Sequence, residues 1–508
     1  MDFKITNFDV STEQIYLEQT AEIPIDIDFT LSDYEGEIKK VLNCEITPYI
    51  TSKQISGSSL LVEGEAILKV IYSAPNGEIF CTEQEVPFKK TFDGDKNLDG
   101  GYCEIFTALL IHSCRAVTER KISIRSSLKL EAKVTVIEIN EIISDVDSIF
   151  FEQLKGDAFA TIPLGKTQKT IIVDEEINIP QNLPNAKRII RASGVSNITD
   201  CKIVADKTIV KGNLKVSVFY CTEENEFAKY NVNIPFNQII DIVGISELCE
   251  CDATSHICGL DISARNSDDD ESRKFILISK LEISVFARCS NKVPVIYDIY
   301  STKHTTVPKC NEVKFSKLAK HIDESFLCKK ILNLPNGEID KIFDVWCKCG
   351  NSDIKYHNNS AVISGNILAS VLYESSDGMP DFFERIIEFE YPINFDEELT
   401  SPQCKPEIKI IDCDFSLTPS GEPEIKLELL IHAAVYDSYK YSVITELTVD
   451  EETPLNNSAS LIAYYADKGE KVWDIAKSFS AKLNELLKIN HLTEDTVTTP
   501  KMLLIPRI

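Results

Sequence analysis

Two closely spaced cysteine pairs, Cys249-x-Cys251 and Cys347-x-Cys349, are the pattern in this chain that comes nearest to a metal site. Zinc sites usually leave two or more residues between paired cysteines and add a second pair of cysteines or histidines at a set distance. Neither pair has that gap, and no second pair with suitably spaced histidines follows. We therefore predict no metal and no other cofactor, and we expect these cysteines at alternate positions of strands or loops.

The segment Leu164-Gly165-Lys166-Thr167 resembles the end of a phosphate-binding loop. Such a loop needs a first glycine five residues before Gly165, and this chain has Ala160 there. Without that glycine the backbone lacks the sharp turn that surrounds a phosphate group. We interpret the segment as a turn within a linker.

Other catalytic motifs are absent from the sequence, which has no G-x-S-x-G, H-E-x-x-H or G-x-G-x-x-G, and its seven histidines are scattered. The acidic run at 268–271 is typical of a solvated loop. Because the chain has 80 Asp and Glu residues, neighbouring carboxylates are expected by chance and do not by themselves indicate a glycosidase. We predict that the protein is not an enzyme.

The net charge of −27 argues against nucleic acid or anionic lipid as a partner, because both are negatively charged. The N-terminal segment lacks the apolar stretch of a signal peptide, and no later run has the roughly 20 apolar residues of a membrane helix. We expect a protein that stays inside the cell. Its 16 cysteines among 508 residues are too sparse for a disulfide-stapled scaffold, so most should be reduced and buried.

The body contains an internal repeat with three copies. A glycine is followed eight residues later by a tyrosine within a β-prone run, and further landmarks follow in the same order. The glycine–tyrosine pairs are Gly64 and Tyr72, Gly212 and Tyr220, and Gly365 and Tyr373; the prolines are Pro87, Pro235 and Pro392; the leucines are Leu130, Leu281 and Leu427. We interpret these landmarks as sheet-packing positions rather than as binding residues.

Short runs of alternating apolar and polar residues, separated by turn signals, predict a mainly β fold. We expect three repeated antiparallel β-sandwich or barrel-like domains and then a small βααβ module. Two short helices are also possible near 237–248 and 312–322. The predicted segments are unit 1 (1–146), a linker (147–168), unit 2 (169–300), a linker (301–323), unit 3 (324–449), a linker (450–460) that acts as a flexible tether, and the tail module (461–508).

The tail has the pattern of a strand, two helices and a returning strand. Val472, Ile475, Ala476 and Phe479 share one helical face, and the leucines at 483, 486 and 487 continue this pattern after Ser480, a predicted N-cap. Asn490-His491 is predicted to end the second helix. Trp473 is interpreted as part of a small core, because a module of this size needs nearly all its apolar residues for stability.

The runs G-E-K-V-W-D-I-A-K (469–477), L-L-K-I-N (486–490) and L-L-I-P (503–506) resemble a LysM domain. LysM domains usually bind N-acetylglucosamine polymers in a shallow groove between two loops. The resemblance implies a partner- or glycan-binding groove made of Gly469, Glu470, Lys471, Val472, Asn490, His491 and Leu492. Lys471 departs from the family, which commonly has Ser or Thr there to cap the helix.

Three β units with the glycine–tyrosine run, followed by a LysM-like tail, resemble the SPOCS-domain proteins of spore-forming Firmicutes. This resemblance implies a non-enzymatic scaffold in spore-coat or spore-envelope assembly, in the mother cell at the forespore surface. The tail would dock a coat morphogenetic protein, a SpoIVA-like ATPase, and the body could self-associate. The alternative is a cell-wall or cortex protein that binds peptidoglycan through its tail.

Overall fold

A computed structural model describes most of the 508 residues. The described ranges are 3–242, 244–246, 249–265, 273–333, 339–419, 421–455 and 460–506. The acidic run at 268–271 and the turn predicted at 335–337 lie outside them. Among the described residues, no helix has the length and apolar character required to cross a bilayer.

The chain forms twenty-one strands and two short helices in the described ranges. Unit 1 contains β1 (Lys4–Thr30), β2 (Lys40–Ser56), β3 (Ser59–Ser73), β4 (Ile79–Asp93), β5 (Tyr102–Thr118) and β6 (Lys121–Asp147). Unit 2 contains β7 (Phe151–Asn178), β8 (Ala186–Val204), β9 (Lys207–Thr222), β10 (Phe227–Asp241), β11 (Glu250–Arg265) and β12 (Lys274–Ser301). Unit 3 contains β13 (His304–Ile331), β14 (Ile339–His357), β15 (Ser360–Ser375), β16 (Pro380–Asn394), β17 (Pro402–Gln403), β18 (Glu407–Leu417) and β19 (Pro423–Pro454). The tail module contains β20 (Leu461–Ala466), α1 (Val472–Ser478), α2 (Leu483–Ile489) and β21 (Lys501–Pro506).

Each unit is a sandwich of two antiparallel sheets, which confirms the predicted mainly β fold. In unit 1 the sheet β2-β3-β4 packs on the sheet β1-β6-β5, and unit 2 repeats this arrangement with β8-β9-β10 and β7-β12-β11. In unit 3, β14-β15-β16 packs on a sheet in which β13, β17 and β18 all pair with β19. Each sandwich encloses its own apolar core.

The landmark glycines leave space for a phenylalanine ring on the neighbouring strand. Gly64 pairs with Phe88 across β3 and β4, and Gly212 pairs with Phe236 across β9 and β10. A Cβ atom on Gly212 would lie 2.3 Å from the Phe236 ring and 2.5 Å from a backbone oxygen of β8. The glycine is therefore required because an aromatic ring covers its position in the sheet.

The landmark tyrosines fill the sandwich cores. Tyr72 and Tyr220 are fully buried, and their hydroxyl groups donate hydrogen bonds to the carbonyl oxygens of Gly36 (3.1 Å) and Pro184 (3.0 Å), just before the second strand of each unit. The hydroxyl is thus satisfied inside the core. This finding agrees with the prediction that the landmarks serve packing.

The residue just before each landmark tyrosine faces the opposite side of its sheet. Ile71, Phe219 and Leu372 are at most 3% exposed, and they lie in one apolar cluster to which all three units contribute. Because neighbouring positions of one strand point to opposite faces, this end of the strand is buried on both sides. The three sandwiches therefore share a common core.

One landmark is not equivalent between units. Pro87 pairs with Glu65 and Pro235 pairs with Asn213, each one residue after the landmark glycine. Pro392 instead pairs with Val362, which lies three residues before Gly365. The proline of unit 3 sits further along its strand, so the three prolines keep the same order in the sequence but do not share one register.

The long strands continue beyond the sandwiches as two-stranded ribbons. The ribbons pair 4–15 with 135–147, 151–163 with 288–301, and 304–318 with 436–454. A β-bulge marks the start of each, at Tyr16, Leu164 and Ala319. An extra residue bends a strand and increases its twist, so each bulge redirects its strand from sandwich to ribbon.

The three ribbons pack against one another around a second shared core. Val10 and Ile142 of the first ribbon meet Ala160 and Val293 of the second and Phe315 of the third, and all five are buried. The ribbons are joined by short connections at 148–150 and 302–303. The units thus contact each other through both their sandwiches and their ribbons.

Several sequence predictions of irregular or helical structure were wrong. The predicted linkers 147–168 and 301–323 lie mostly in β7 and β13, which makes them ribbon strands, and Gly165-Lys166-Thr167 is in β7 rather than in a turn. The possible helix at 312–322 is also part of β13, and 237–241 belongs to β10. Strands that pack on other ribbons carry polar residues at many positions, which weakens the alternating pattern of a half-buried sheet.

We predict that Gly212→Ala destabilises unit 2 by about 1–3 kcal/mol, because its Cβ atom collides with Phe236 and the β8 backbone. Denaturant unfolding measures this change. Gly165→Ala is the matched control, since Gly165 is also a strand glycine and nothing lies within 4 Å of its added Cβ. Equal unfolding midpoints for the two variants would contradict the packing explanation.

Candidate functional site

The tail module brings the two predicted groove loops together. The Gly469 amide donates to the Val497 carbonyl oxygen at 2.8 Å, and the Val472 amide donates to the Asp495 carbonyl oxygen at 2.9 Å. Gly469 has a φ of +94°, a conformation that favours glycine. The strand–helix loop is therefore held directly against the helix–strand loop, with β20 and β21 paired antiparallel beside them.

Three of the predicted groove residues take part in folding of the module. Val472 is 1% exposed and belongs to the core. The Asn490 amide contacts the carbonyl oxygens of Leu486 and Leu504 and accepts from the Leu504 amide, so it joins the end of α2 to β21. The Glu470 carboxylate accepts a hydrogen bond from the Tyr464 hydroxyl at 3.1 Å.

The remaining predicted groove residues are more accessible. Gly469, Lys471 and His491 are exposed, while Leu492 is half-buried against the tail core. Lys471 is the N-cap of α1 and makes no side-chain cap hydrogen bond, as its chemistry predicts. Asn490 ends α2 as predicted, but the N-cap of α2 is Lys482 and not Ser480.

The tail module is docked on the ribbon of unit 2. The indole nitrogen of Trp473 donates to Asp298 at 2.8 Å, and Lys477 contacts the same carboxylate at 2.6 Å. Tyr300 of the same strand is buried, packs edge-on against Trp473 with ring centroids 5.1 Å apart, and donates to the Ala481 carbonyl oxygen at 2.7 Å. The module is thus held in place, which contradicts the prediction that its tether lets it reorient.

The tail also presents an apolar face on the side of its sheet away from the helices. Leu461, Tyr465, Met502 and Leu504 are 52%, 62%, 65% and 40% exposed. Tyr465 pairs directly with Met502 across the two strands. Sequence reasoning placed only the groove loops at the surface; the signal it missed is that β20 and β21 are apolar on both faces.

Partly buried charged groups join the three units near their shared core. The Glu45 carboxylate of unit 1 lies 2.8 Å from Lys348 of unit 3 and 3.5 Å from Arg191 of unit 2. Burial alone would raise the pKa of Glu45, but the two cations outweigh it and lower the pKa to about 2. These groups line a cavity of about 790 Å³ between the units.

A cluster of histidines and aspartates joins units 2 and 3. The Asp252 carboxylate lies 2.9 Å from Nε2 of His432 and 3.3 Å from Nε2 of His321, and Asp323 lies 3.7 Å from Nδ1 of His432. Burial alone would lower the pKa of His432, but the carboxylates of Asp252 and Asp323 raise it to about 10. Burial also opposes the negative charge of Asp252, yet the two histidines hold its pKa well below the usual range.

The ligand atoms of Asp252, His321 and His432 lie within 4.8 Å of one another, close enough to surround a divalent metal ion. A metal ion would have to displace the proton of His432, since ligand histidines are neutral. It would also face the Arg288 guanidinium, which lies 3.8 Å from Asp252. The chemistry of the group therefore favours an ion pair between protonated His432 and the two aspartates.

The cysteine pairs singled out in the sequence do not converge on a metal site. Cys249 forms a disulfide with Cys289, and Cys251 faces Cys201 across the sandwich. Cys347 and Cys349 are alternate residues of β14, as expected. Most of the free cysteines are half-buried rather than buried, which corrects that part of the prediction.

We predict that Asp298→Ala releases the tail from the ribbon, because it removes the acceptor for both Trp473 and Lys477. In a Trp346→Phe background Trp473 is the remaining tryptophan, and its emission should shift to longer wavelength as the indole becomes hydrated. Asp157→Ala is the control, since Asp157 lies in the same ribbon and makes an exposed 3.9 Å ion pair with Lys292. An unchanged emission maximum in Asp298→Ala would contradict docking through this carboxylate.

We predict that His432→Gln removes a pH-dependent part of the stability. A histidine with a raised pKa stabilises the fold fully below its unfolded value of about 6.5 and loses this effect as the pH approaches about 10. The difference in unfolding free energy between wild type and variant should therefore be largest near pH 6 and shrink toward pH 9.5. Exposed His357→Gln serves as control, and a pH-independent difference for His432→Gln would argue against the ion pair.

Comparison with known families identifies the repeated units. The model of the family described as "SipL, SPOCS domain" matches residues 37–108, 185–264 and 338–418. Each match begins just before the second strand of a unit (β2, β8 or β14) and covers the sheet with the landmark glycine and tyrosine. No curated protein and no solved structure matches the chain.

The family match indicates a role related to sporulation, and the SipL family is non-enzymatic in kind. The matched segments leave out the ribbons and the tail module. They recur once in each sandwich, in agreement with the repeat found in the sequence. The chain therefore carries three copies of the SPOCS domain.

Proposed function

We propose that the protein is a non-enzymatic scaffold in spore-coat or spore-envelope assembly, and that its LysM-like tail docks a coat morphogenetic protein of the SpoIVA-like ATPase class. The role in sporulation follows from the family; the rest rests on the tail. Its location would be the mother cell, at the forespore surface.

The observation that carries this proposal is the exposed apolar face of Leu461, Tyr465, Met502 and Leu504. A small soluble module gains nothing in stability from exposing these side chains, and contiguous exposed apolar patches usually mark interaction sites. The rest of the module is anchored by Trp473 and Lys477 to the ribbon of unit 2. The apolar face is thereby presented by a rigid body, which lowers the entropy lost when a partner binds.

The predicted groove supports glycan binding less well. Val472 is buried and the Asn490 amide is already hydrogen-bonded on both of its polar atoms. Sugar recognition needs free polar groups, and Lys471 and His491 are the exposed side chains left for it among the predicted residues. In the proposed complex with a coat protein, Lys471 and His491 would contact the partner at the edge of the interface.

We predict that Tyr465→Glu combined with Met502→Glu abolishes capture of the coat partner from sporulating cells, as does deletion of residues 461–508. Burying two such side chains contributes about 1.5–3 kcal/mol each, so their loss should weaken binding at least ten-fold. Capture is measured with the intact chain as bait, and circular dichroism verifies that the double variant is folded. Undiminished capture by the double variant would contradict docking through this face.

Lys471→Thr is the matched tail variant, because it changes the groove and leaves the apolar face intact. It should retain partner capture. If the tail instead binds peptidoglycan, Lys471→Thr should increase cosedimentation with purified peptidoglycan, since a small hydroxyl residue caps α1 and opens the groove. Cosedimentation of the wild-type chain, unaffected by the two glutamates, would favour the glycan alternative.

A further inference from the structure

On one side of each sandwich, an edge strand of one sheet packs closely against an edge strand of the other. In unit 1 these strands are β2 and β5, in unit 2 they are β8 and β11, and in unit 3 they are β14 and β18. No backbone hydrogen bonds join the two edges of a described pair, because the strands belong to different sheets. Side chains alone hold this side of each sandwich together.

A pair of cysteines bridges this side in all three units. In unit 2 the sulfur atoms of Cys201 and Cys251 are 2.7 Å apart, and in unit 3 those of Cys347 and Cys413 are 3.8 Å apart. In unit 1 Cys44 of β2 and Cys114 of β5 lie close enough for their thiols to interact. Six cysteines thus form three cross-sheet pairs, each between the facing edge strands of one sandwich.

The pairs do not occupy equivalent positions of the repeat. Cys44 lies opposite Val70, six residues after the landmark Gly64, whereas Cys201 lies opposite Val210, two residues before Gly212. Cys347 lies opposite Ala369, four residues after Gly365. If one ancestral pair had been triplicated, all three pairs would lie at the same distance from their landmark glycine. Because they lie at different distances but between the same two edge strands, we infer that a cysteine pair is required at this edge of the sandwich.

We propose that the three cysteine pairs are sites of reversible disulfide formation, each of which joins the two sheets of one sandwich. The oxidant is a small disulfide such as glutathione disulfide. The thiolate of one cysteine attacks it, a mixed disulfide forms and one glutathione thiol leaves. The second cysteine then attacks the mixed disulfide, a second glutathione leaves, and each glutathione thiolate takes up a proton released by a protein thiol.

The local chemistry supports this reaction. In each pair the neighbouring thiol can donate a hydrogen bond to the thiolate of Cys114, Cys251 or Cys413, which lowers the pKa of that cysteine. A thiol with a lowered pKa forms more of the reactive thiolate. All six cysteines are half-buried, so a small oxidant has access that it lacks at buried Cys103 and Cys221.

Closure of these pairs would cross-link residues far apart in the chain, 50 residues in unit 2 and 66 in unit 3. Cross-links that close long loops restrict the unfolded chain most. The reduced protein is already folded, so oxidation would lock a preformed sandwich. This function is separate from docking by the tail.

The test uses the full chain in glutathione redox buffers, followed by alkylation and peptide mapping. Oxidation should join Cys44 to Cys114, Cys201 to Cys251, and Cys347 to Cys413, protect six thiols from alkylation and raise the unfolding midpoint. Exposed Cys310 is the internal control and should stay alkylated. The Cys251→Ser variant should lose the unit 2 cross-link and keep the other two.

Two outcomes would overturn the proposal: full alkylation of the six thiols after oxidation, or cross-links scattered among other cysteines apart from the Cys249–Cys289 disulfide already present. Mapping of the wild-type chain decides between them, so the result does not depend on whether a serine variant folds. Tail-dependent partner capture is measured on the same oxidised and reduced samples. Failure of the cross-links leaves the docking proposal standing, and failure of docking leaves the cross-links standing.

Discussion

Burial of the β3, β9 and β15 strands on both faces is the constraint on which the rest of the structure depends. At the end of each strand, the landmark tyrosine enters its own sandwich and the preceding residue, Ile71, Phe219 or Leu372, enters the core shared by all units. A sandwich standing alone would expose this second apolar surface to water. The three SPOCS domains of this chain therefore pack into one body and are not independent domains joined by linkers.

The charges buried between units restrict how that body can assemble. Glu45 contacts cations of both other units, and Lys229 of unit 2 lies 2.7 Å from the fully buried Asp344 of unit 3. Buried ion pairs add little net stability, but leaving one member unpaired costs several kcal/mol. Because each junction has different partners, the pairs favour one order of the three sandwiches over a shuffled one. The acidic composition of the chain could not show that some of its Lys and Arg side chains form ion pairs between the units.

Much of the fold could be predicted from local sequence patterns, and each feature that could not be predicted has an identifiable physical cause. The glycine–tyrosine run predicted repeated sheets because both residues act within one unit, and the tail's apolar periodicity predicted its β-α-α-β order. The ribbons could not be predicted, because their apolar faces meet ribbons of other units and no local pattern encodes those contacts. The anchor of the tail was missed for the same reason: Asp298 and Tyr300 lie far from Trp473 in sequence. Pro392 shows that local patterns can also mislead: it follows Gly365 in the expected order, but it occupies a different register from Pro87 and Pro235.

The three ribbons extend from the sandwiches toward the same end of the molecule. Lys4 pairs with Asp147 and His304 pairs with Pro454, while Phe151 pairs with Ser301, so the outer tips of all ribbons lie together, and the tail is docked near them on the second ribbon. Twelve residues of extended strand, as in 4–15, span about 40 Å. A partner held by the tail would thus be kept at roughly that distance from the three sandwiches. If the tail holds such a partner, the ribbon bundle would act as a spacer, and the number of residues in each ribbon would determine how far the SPOCS domains stand from the surface to which the tail attaches.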